Sequence, residues 1–265
     1  MELGAAAFGF DVADEAVATR WRARLAHPYT TDPGGAFVAE LDGEIVGVAM
    51  AIARERLWCL SLLAVAPAAQ SGGTGRALME RALTYASAST DVGLIPSSSD
   101  PRALRLYALS GFSLHPTFEA SGILDRSALP PPSGSVQAGE RSDLEALEPI
   151  SRAIRGAPHT LDIDFALGLG ARLLLCGDRG FAVVYPGHAV WLLVARDDDA
   201  ATQLLWAGLA LAGTERPVVR WITAGQQWAI DVVVQAGLRL VPYGALCVRG
   251  EAGPLRPYLP SPPFA

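Results

Sequence analysis

The 265-residue sequence contains no lysine, and all 21 of its basic residues are arginine. That absence reads as a compositional bias of the source genome rather than as a functional signal. Against 27 acidic residues the arginines leave a net charge of −6, which disfavours nucleic acid or another polyanion as the main partner. Cysteine is scarce. Cys59, Cys176 and Cys247 are odd in number, widely spaced and set in apolar runs, which argues against a disulfide framework and against a zinc site. His115, His159 and His188 stand isolated, without ligand spacing, so no metal is expected. No apolar run approaches the roughly 20 residues of a membrane-spanning helix, and no membrane partner is expected. The richest stretch, 204–212, contains Gly208 and ends within about three turns of helix. Met1-Glu2 leads into the chain without the basic and apolar order of a signal sequence. These absences point to a soluble cytoplasmic protein.

What is present suits a large core: 51% of residues are hydrophobic and only 18% charged. At roughly 150 residues per domain, the length suggests two domains. The break falls where Pro130, Pro131, Pro132, Gly134 and Gly139 cluster, because serial prolines hold an extended backbone that joins neither helix nor central strand. The expected division is 1–127, a Pro/Gly-rich linker at 128–141, and 142–265. In the first part, helix is expected at 13–26, strands at 36–40 and 45–54 around Asp42-Gly43, a buried strand at 57–65, a helix at 76–88, a strand at 92–95 and a helix at 101–110. Segments 112–114 and 122–124 are expected to close a hairpin. The second part repeats the order: a helix at 143–155, strands at 173–176, 181–185 and 188–195, a helix at 197–212, a strand at 218–223, a helix at 227–236 and a strand at 238–248. Gly111-Phe112 and Gly237-Leu238 hold the same place in each part, which indicates duplicated architecture. The fold class is α/β (α+β), each part a mixed, mostly antiparallel sheet flanked by helices.

The most informative segment runs from Leu62 to Leu78. A buried strand enters a loop with Gly72, Gly73 and Gly75, and a helix starts at once. The first turn of a helix carries unpaired N–H groups and the positive end of its dipole, so an anion is stabilised there. Glycine lets the backbone close around that anion. The same glycines are equally compatible with a plain strand-to-helix turn. A P-loop is excluded because Arg76-Ala77 follows where Lys-Ser/Thr is needed. A dinucleotide fingerprint is excluded because Gly73-x-Gly75 is not extended by glycine at position 78.

Val65-x-Pro67 followed by Gln70-x-x-Gly73-x-Gly75 resembles the signature of the GNAT superfamily of N-acetyltransferases. A second element, Asp100-x-x-Ala103-x-x-x-Tyr107-x-x-x-Gly111-Phe112, follows at the family's distance and departs only in Asp100, where the family usually has Asn. The resemblance covers residues 36–124. It implies that acetyl-CoA is the acetyl donor, with the backbone of Leu63, Ala64 and Val65 along its pantetheine arm. It also implies that N–H groups of Gln70, Ser71, Gly72, Gly73, Thr74, Gly75 and Arg76 hold the pyrophosphate, with Arg76 adding charge. The Leu63 N–H would donate to the thioester carbonyl, and Tyr107 would protonate the departing thiolate. Asp100 reads either as a cofactor contact or as an N-cap, and Tyr107 either as acid or as core aromatic.

The general base is not evident. Glu55, Cys59 and Ser61 lie in or beside the strand 57–65, each with a structural alternative, and a water relay is equally compatible. His27, Tyr29 and Asp32 form a polar loop at 27–33, either a substrate wall or a surface turn set by Pro28 and Pro33. Trp58, Trp191, Trp206, Trp221 and Trp228 read as core. Asp197, Asp198 and Asp199 stand at the second part's counterpart of the glycine-rich loop and would repel a pyrophosphate. The second part therefore resembles the degenerate domain of tandem bacterial GNAT proteins, as does the tail 257–261. Segment 1–10 offers only Gly- and Ala-rich sequence where the family begins with an edge strand. The expected activity is acetyl transfer to a primary amine of a small or amino-acid-like acceptor, by a monomer or homodimer. A non-catalytic acyl-CoA-binding regulator is the alternative.

Overall fold

The computed structural model of the chain describes residues 13–86, 90–131, 134–185, 190–212 and 216–265. The expectation for the edge strand in 1–10 lies outside them. The first half contains helix α1 (Glu15–Thr31), strands β1 (Ala36–Leu41), β2 (Glu44–Arg54) and β3 (Leu57–Val65), and helix α2 (Thr74–Thr84). Strand β4 (Val92–Ser97), helix α3 (Pro101–Leu109) and strand β5 (Ser113–Ser121) follow. The second half contains β6 (Gln137–Gly139), α4 (Glu148–Arg155), α5 (Thr160–Gly168), β7 (Arg172–Leu175), β8 (Gly180–Val184) and β9 (Val190–Ala195). It ends with α6 (Asp198–Leu211), β10 (Val218–Thr223), α7 (Gln227–Gln235), β11 (Arg239–Arg249) and β12 (Tyr258–Leu259).

Two sheets form, a seven-stranded one in the order β1-β2-β3-β4-β11-β5-β10 and a five-stranded one in the order β12-β9-β8-β7-β6. All pairings are antiparallel except β3 with β4. The strands β10 and β11 come from beyond the linker, so the sheets do not divide at 128–141. The expected hairpin of 112–114 with 122–124 is absent. A single strand, β5, runs through 113–121, and the place beside it is taken by β11, with Cys247 opposite Leu114 and Leu240 opposite Ala120. Strand β10 covers the other side of β5. The reason is reciprocal: β4, β11, β5 and β10 alternate between halves, so β5 is flanked by two strands of the second half and β11 by two of the first. Residues 137–139, expected within the linker, pair with β7 as an edge strand.

Polar bonds reinforce the union. Buried Arg54 at the end of β2 donates to Asp32 at 2.8 Å and to Asp162 of α5 at 2.8 Å. His27 Nε2 lies 3.0 Å from the same Asp162, and its ring stacks on Phe165 at 4.2 Å. Tyr85 donates to Asp32 at 3.0 Å. Such a buried cluster resists opening because removal of a charged member deprives its buried partners of a counter-charge. The expected polar loop at 27–33 is therefore corrected. Helix α1 continues through Pro28 to Thr31, and the Asp32 N–H closes on the Pro28 carbonyl at 2.8 Å. His27 and Asp32 are locked into the joint between halves rather than lining a loop, while Tyr29 is exposed. Helix α5 was not anticipated from the sequence, and the helix expected at 143–155 begins instead as two short 3-10 turns before Glu148. All three cysteines are free and buried.

Candidate active site

Strand β3 pairs with β4 through Leu57, Trp58 and Cys59 alone, opposite Val92, Gly93 and Leu94. Beyond Cys59 the two strands part. The cause lies on the other side of β3, where the register with β2 passes from Ala51–Leu60 to Met50–Leu62 and leaves Ser61 as an extra residue. A bulge of this kind bends its strand and increases the local twist.

The alternation of an antiparallel ladder then fixes which groups face the opening. Ala66 donates to the Val46 carbonyl at 2.8 Å, so Ala66, Ala64 and Leu62 turn their peptide groups toward β2. Leu63 and Val65 turn theirs away from β2, into the gap left by β4. Leu63 and Val65 also pack on one core cluster with Leu78, Met79 and Tyr107. The Val65 carbonyl is engaged by Gln70 Nε2 at 3.0 Å, whereas Leu63 and the Val65 N–H have no partner across the gap among the described residues.

At the end of β3 the chain turns over Pro67–Ala69 and reaches the glycine-rich loop. Ser71 has φ +67° and Gly73 +89°, the latter as the N-cap residue of α2, and no side chain caps that helix. Gly73 is needed for its left-handed backbone. A Cβ at position 72 or 75 would meet protein atoms only at 3.7 Å or more, at Ala69 O or at Val65 and Leu106. Packing within the protein does not require glycine at either position. Gln70, Thr74 and Gly75 are part-exposed, and Ser71, Gly72 and Gly73 are exposed.

The other candidates occupy varied places. Arg76 lies along the helix surface, paired with Glu80 at 2.8 Å, and not over the loop. Asp100 is the N-cap of α3, accepting from the Arg102 N–H at 2.8 Å. Arg102, which the sequence did not single out, also hydrogen-bonds Gln70 and so ties α3 to the loop. Its position directly after the Asp100-Pro101 cap was the available signal. Tyr107, 6% exposed, presents a hydroxyl with no hydrogen-bond partner among the described residues. Burial, with the nearby Cys247 and Asp100 groups, pushes its phenol upward and keeps it protonated.

The candidate bases fare poorly. Glu55 is held by Arg152 at 2.8 Å at the opposite end of β3, some ~25 Å of extended strand from Leu63. Cys59 is fully buried, and burial pushes its thiol up to about 12. Ser61 is buried, with its hydroxyl unpartnered.

In the second half the corresponding places are filled. The Asp197 carboxylate caps α6 by accepting from the Ala200 N–H at 2.9 Å. Arg179 binds Asp197 and Asp199, and Arg256 binds Asp198. Strand β12 pairs Tyr258 with Val194 and Leu259 with Leu193, covering the edge of β9.

A mycothiol acetyltransferase of Streptomyces griseus is 38% identical over 96 residues, which are 35% of this chain and 31% of that protein. The chain therefore matches about a third of that relative's length. A proposed acetyltransferase from Pyrococcus horikoshii superposes with a TM-score of 0.80 at 18% identity, covering 100% of this chain and 89% of that one. A tandem GNAT protein from the clavulanic acid biosynthesis pathway gives 0.56 at 14% identity, covering 86% and 87%. At these identities the likeness of structure speaks for the fold, a pair of GNAT-type units. Residues 6–112 match the acetyltransferase (GNAT) family, and this matched stretch is the one that holds the diverging strands and the glycine-rich helix start.

Proposed function

We propose that this protein transfers an acetyl group from acetyl-CoA to a primary amine of a small or amino-acid-like acceptor, by direct attack. The chemistry is placed in residues 1–127, followed by the linker at 128–141, with 142–265 a degenerate copy of the same unit. The observation that carries the reading is the gap beyond Cys59, into which Leu63 turns its peptide groups and Val65 its N–H, beside an uncapped helix start.

Acetyl-CoA supplies the activated acyl group and the thiolate leaving group. The residues present fit it. Leu63 and the Val65 N–H offer strand-like hydrogen bonds to a pantetheine arm. The N–H groups from Gln70 to Arg76, with the helix dipole, suit a diphosphate, and Gly72 and Gly75 leave its approach clear. Ala64 spaces Leu63 and Val65 so that both face the gap. The Leu63 N–H donates to the thioester carbonyl as negative charge grows there. Tyr107 donates its proton to the departing sulfur. Asp100 acts through its cap on α3, which sets the position of that helix, and Arg102 brings a guanidinium to the same mouth. With Glu55 and Cys59 held elsewhere, the amine proton passes to water in the gap.

The test pairs binding with turnover. Acetyl-CoA should bind by calorimetry, and an amine panel should release free thiol, at a rate that Tyr107→Phe lowers without altering Kd. Tight binding with no thiol from any amine would replace this reading with a non-catalytic acyl-CoA-binding regulator. No binding by a folded protein would reject both.

A further inference from the structure

Arg24 differs from the other enclosed guanidinium groups. Arg54 is balanced by two buried carboxylates. Arg155 gives its N–H groups to the main-chain carbonyls of Ala157, Pro158, Phe264 and Ala265. Arg24, on α1, has one acceptor, the Ser61 carbonyl at 2.9 Å, and no carboxylate partner among the described residues. Its guanidinium carbon lies 4.7 Å from the centre of the Trp21 ring, which fixes its plane. Burial without a counter-charge lowers its pKa to about 10, opposed by the nearby Cys59. The residue is part-exposed, and a guanidinium carries five donors, so most of its fork is unspent.

A second unspent group lies beside it. Ser61 is 4% exposed, and its hydroxyl is enclosed without a hydrogen-bond partner. An enclosed hydroxyl so placed carries an uncompensated desolvation cost. Both groups sit at the bulge where β3 begins to leave β4. His27, three residues further along α1, stacks on Phe165 and meets Phe264, which pack with Leu57, Cys59 and Val92, so α1 lies on that side of β3. Tyr107 and the cradle helix residues Leu78 and Met79 pack on the other side.

We propose that Arg24, with the Ser61 hydroxyl beside it, binds the carboxylate of the acceptor, so that the acceptor is an α-amino acid and not a simple amine. This rests on the proposed acetyl transfer. Ser61 and Leu63 are two positions apart, ~7 Å along the strand. An amine attacking at the Leu63 N–H, with a carboxylate on Arg24, must hold the two groups a few bonds apart. An α-amino acid meets that span, and a long diamine exceeds it. The planar fork of arginine matches a carboxylate with two parallel hydrogen bonds. The incoming charge also supplies the partner that Arg24 lacks.

The test titrates the CoA-loaded protein with the twenty common α-amino acids, each against its α-carboxamide, by calorimetry, and in parallel follows acetylated product by mass with acetyl-CoA in place of CoA. At least one amino acid should bind tenfold or more tightly than its amide. Arg24→Gln should abolish that preference and Arg24→Lys should reduce it at least threefold, both with acetyl-CoA Kd unchanged within twofold. The proposal is overturned if no amino acid exceeds its amide on the intact protein, or if the preference survives in Arg24→Gln. Should that variant fail to fold, an undiminished preference in Arg24→Lys overturns it. A carboxylate preference without acetylated product keeps the subsite and rejects the transfer. Amides acetylated as fast as acids keep the transfer and reject the subsite.

Discussion

At 65–74, and again at 195–198, a strand hands over to a helix at the corresponding point of each half. The first junction has a left-handed Gly73, no side-chain cap and peptide groups turned into a gap. At the second, Asp197 caps the helix, arginines neutralise the neighbouring aspartates, and the tail strand β12 occupies the edge of β9. The same architecture thus gives an open helix start where glycine leaves the N–H groups free, and a closed structural joint where a carboxylate caps the helix and the tail pairs the strand edge. The second half also has a mechanical role, because its strands β10 and β11 complete the sheet that carries the first junction.

The largest effect is expected where the halves depend on each other. Asp162→Ala takes from Arg54 one of its two carboxylates and from His27 its partner, and should cost about 3–5 kcal/mol in urea unfolding; two separate transitions would show instead that the halves are independent. Transplanting the closed junction's chemistry into the open one comes next. Gly72→Asp places a carboxylate at the loop without backbone strain, and should weaken acetyl-CoA by a hundredfold or more in calorimetry while melting unchanged. Tyr107→Phe should lower kcat by about 100-fold, within the range for general-acid loss, with Kd for acetyl-CoA altered less than twofold.

Acid should loosen the second half. Burial and the Arg155 charge hold His159 well below its usual value, so it stays neutral in the fold. The unfolded chain takes up that proton near pH ~6.5, so this stability is full above that value and is lost as pH falls below it, by up to about 1.4 kcal/mol per unit. Asp162 is buried, but the His27 and Arg54 bonds outweigh that cost and hold its pKa down. Its contribution is present above the unfolded carboxylate value and disappears at lower pH still. Thermal melting should therefore decline from pH 7 to pH 5, and His159→Gln should flatten the decline. The smallest effect is expected from Asp197→Ala, about 1 kcal/mol for the lost cap, with no second acetyl-CoA site created.

The glycine-rich loop and the Tyr107 helix were legible because their signals are local. Gly73 at a helix start, Asp100-Pro101 as a cap and Gly111 as a stop each act within a few residues. The exchange of strands was not legible. The apolar segment 239–249 suits a hairpin within its own half as well as the slot beside β5, and only pairing more than a hundred residues away decides. Pro28 looked like a helix stop, yet α1 passes through it, with the Asp32 N–H bonded to its carbonyl and His27 anchored on Asp162. Arg24 carried no sequence signal, since its meaning lies in the carboxylate it lacks.

Hydrogen exchange read by mass spectrometry, with and without acetyl-CoA, compares the two junctions in a single measurement. The account predicts slowed exchange at 63–66 and 70–76 and no change at 193–200. Equal protection of both junctions, or protection at 193–200 alone, would contradict it.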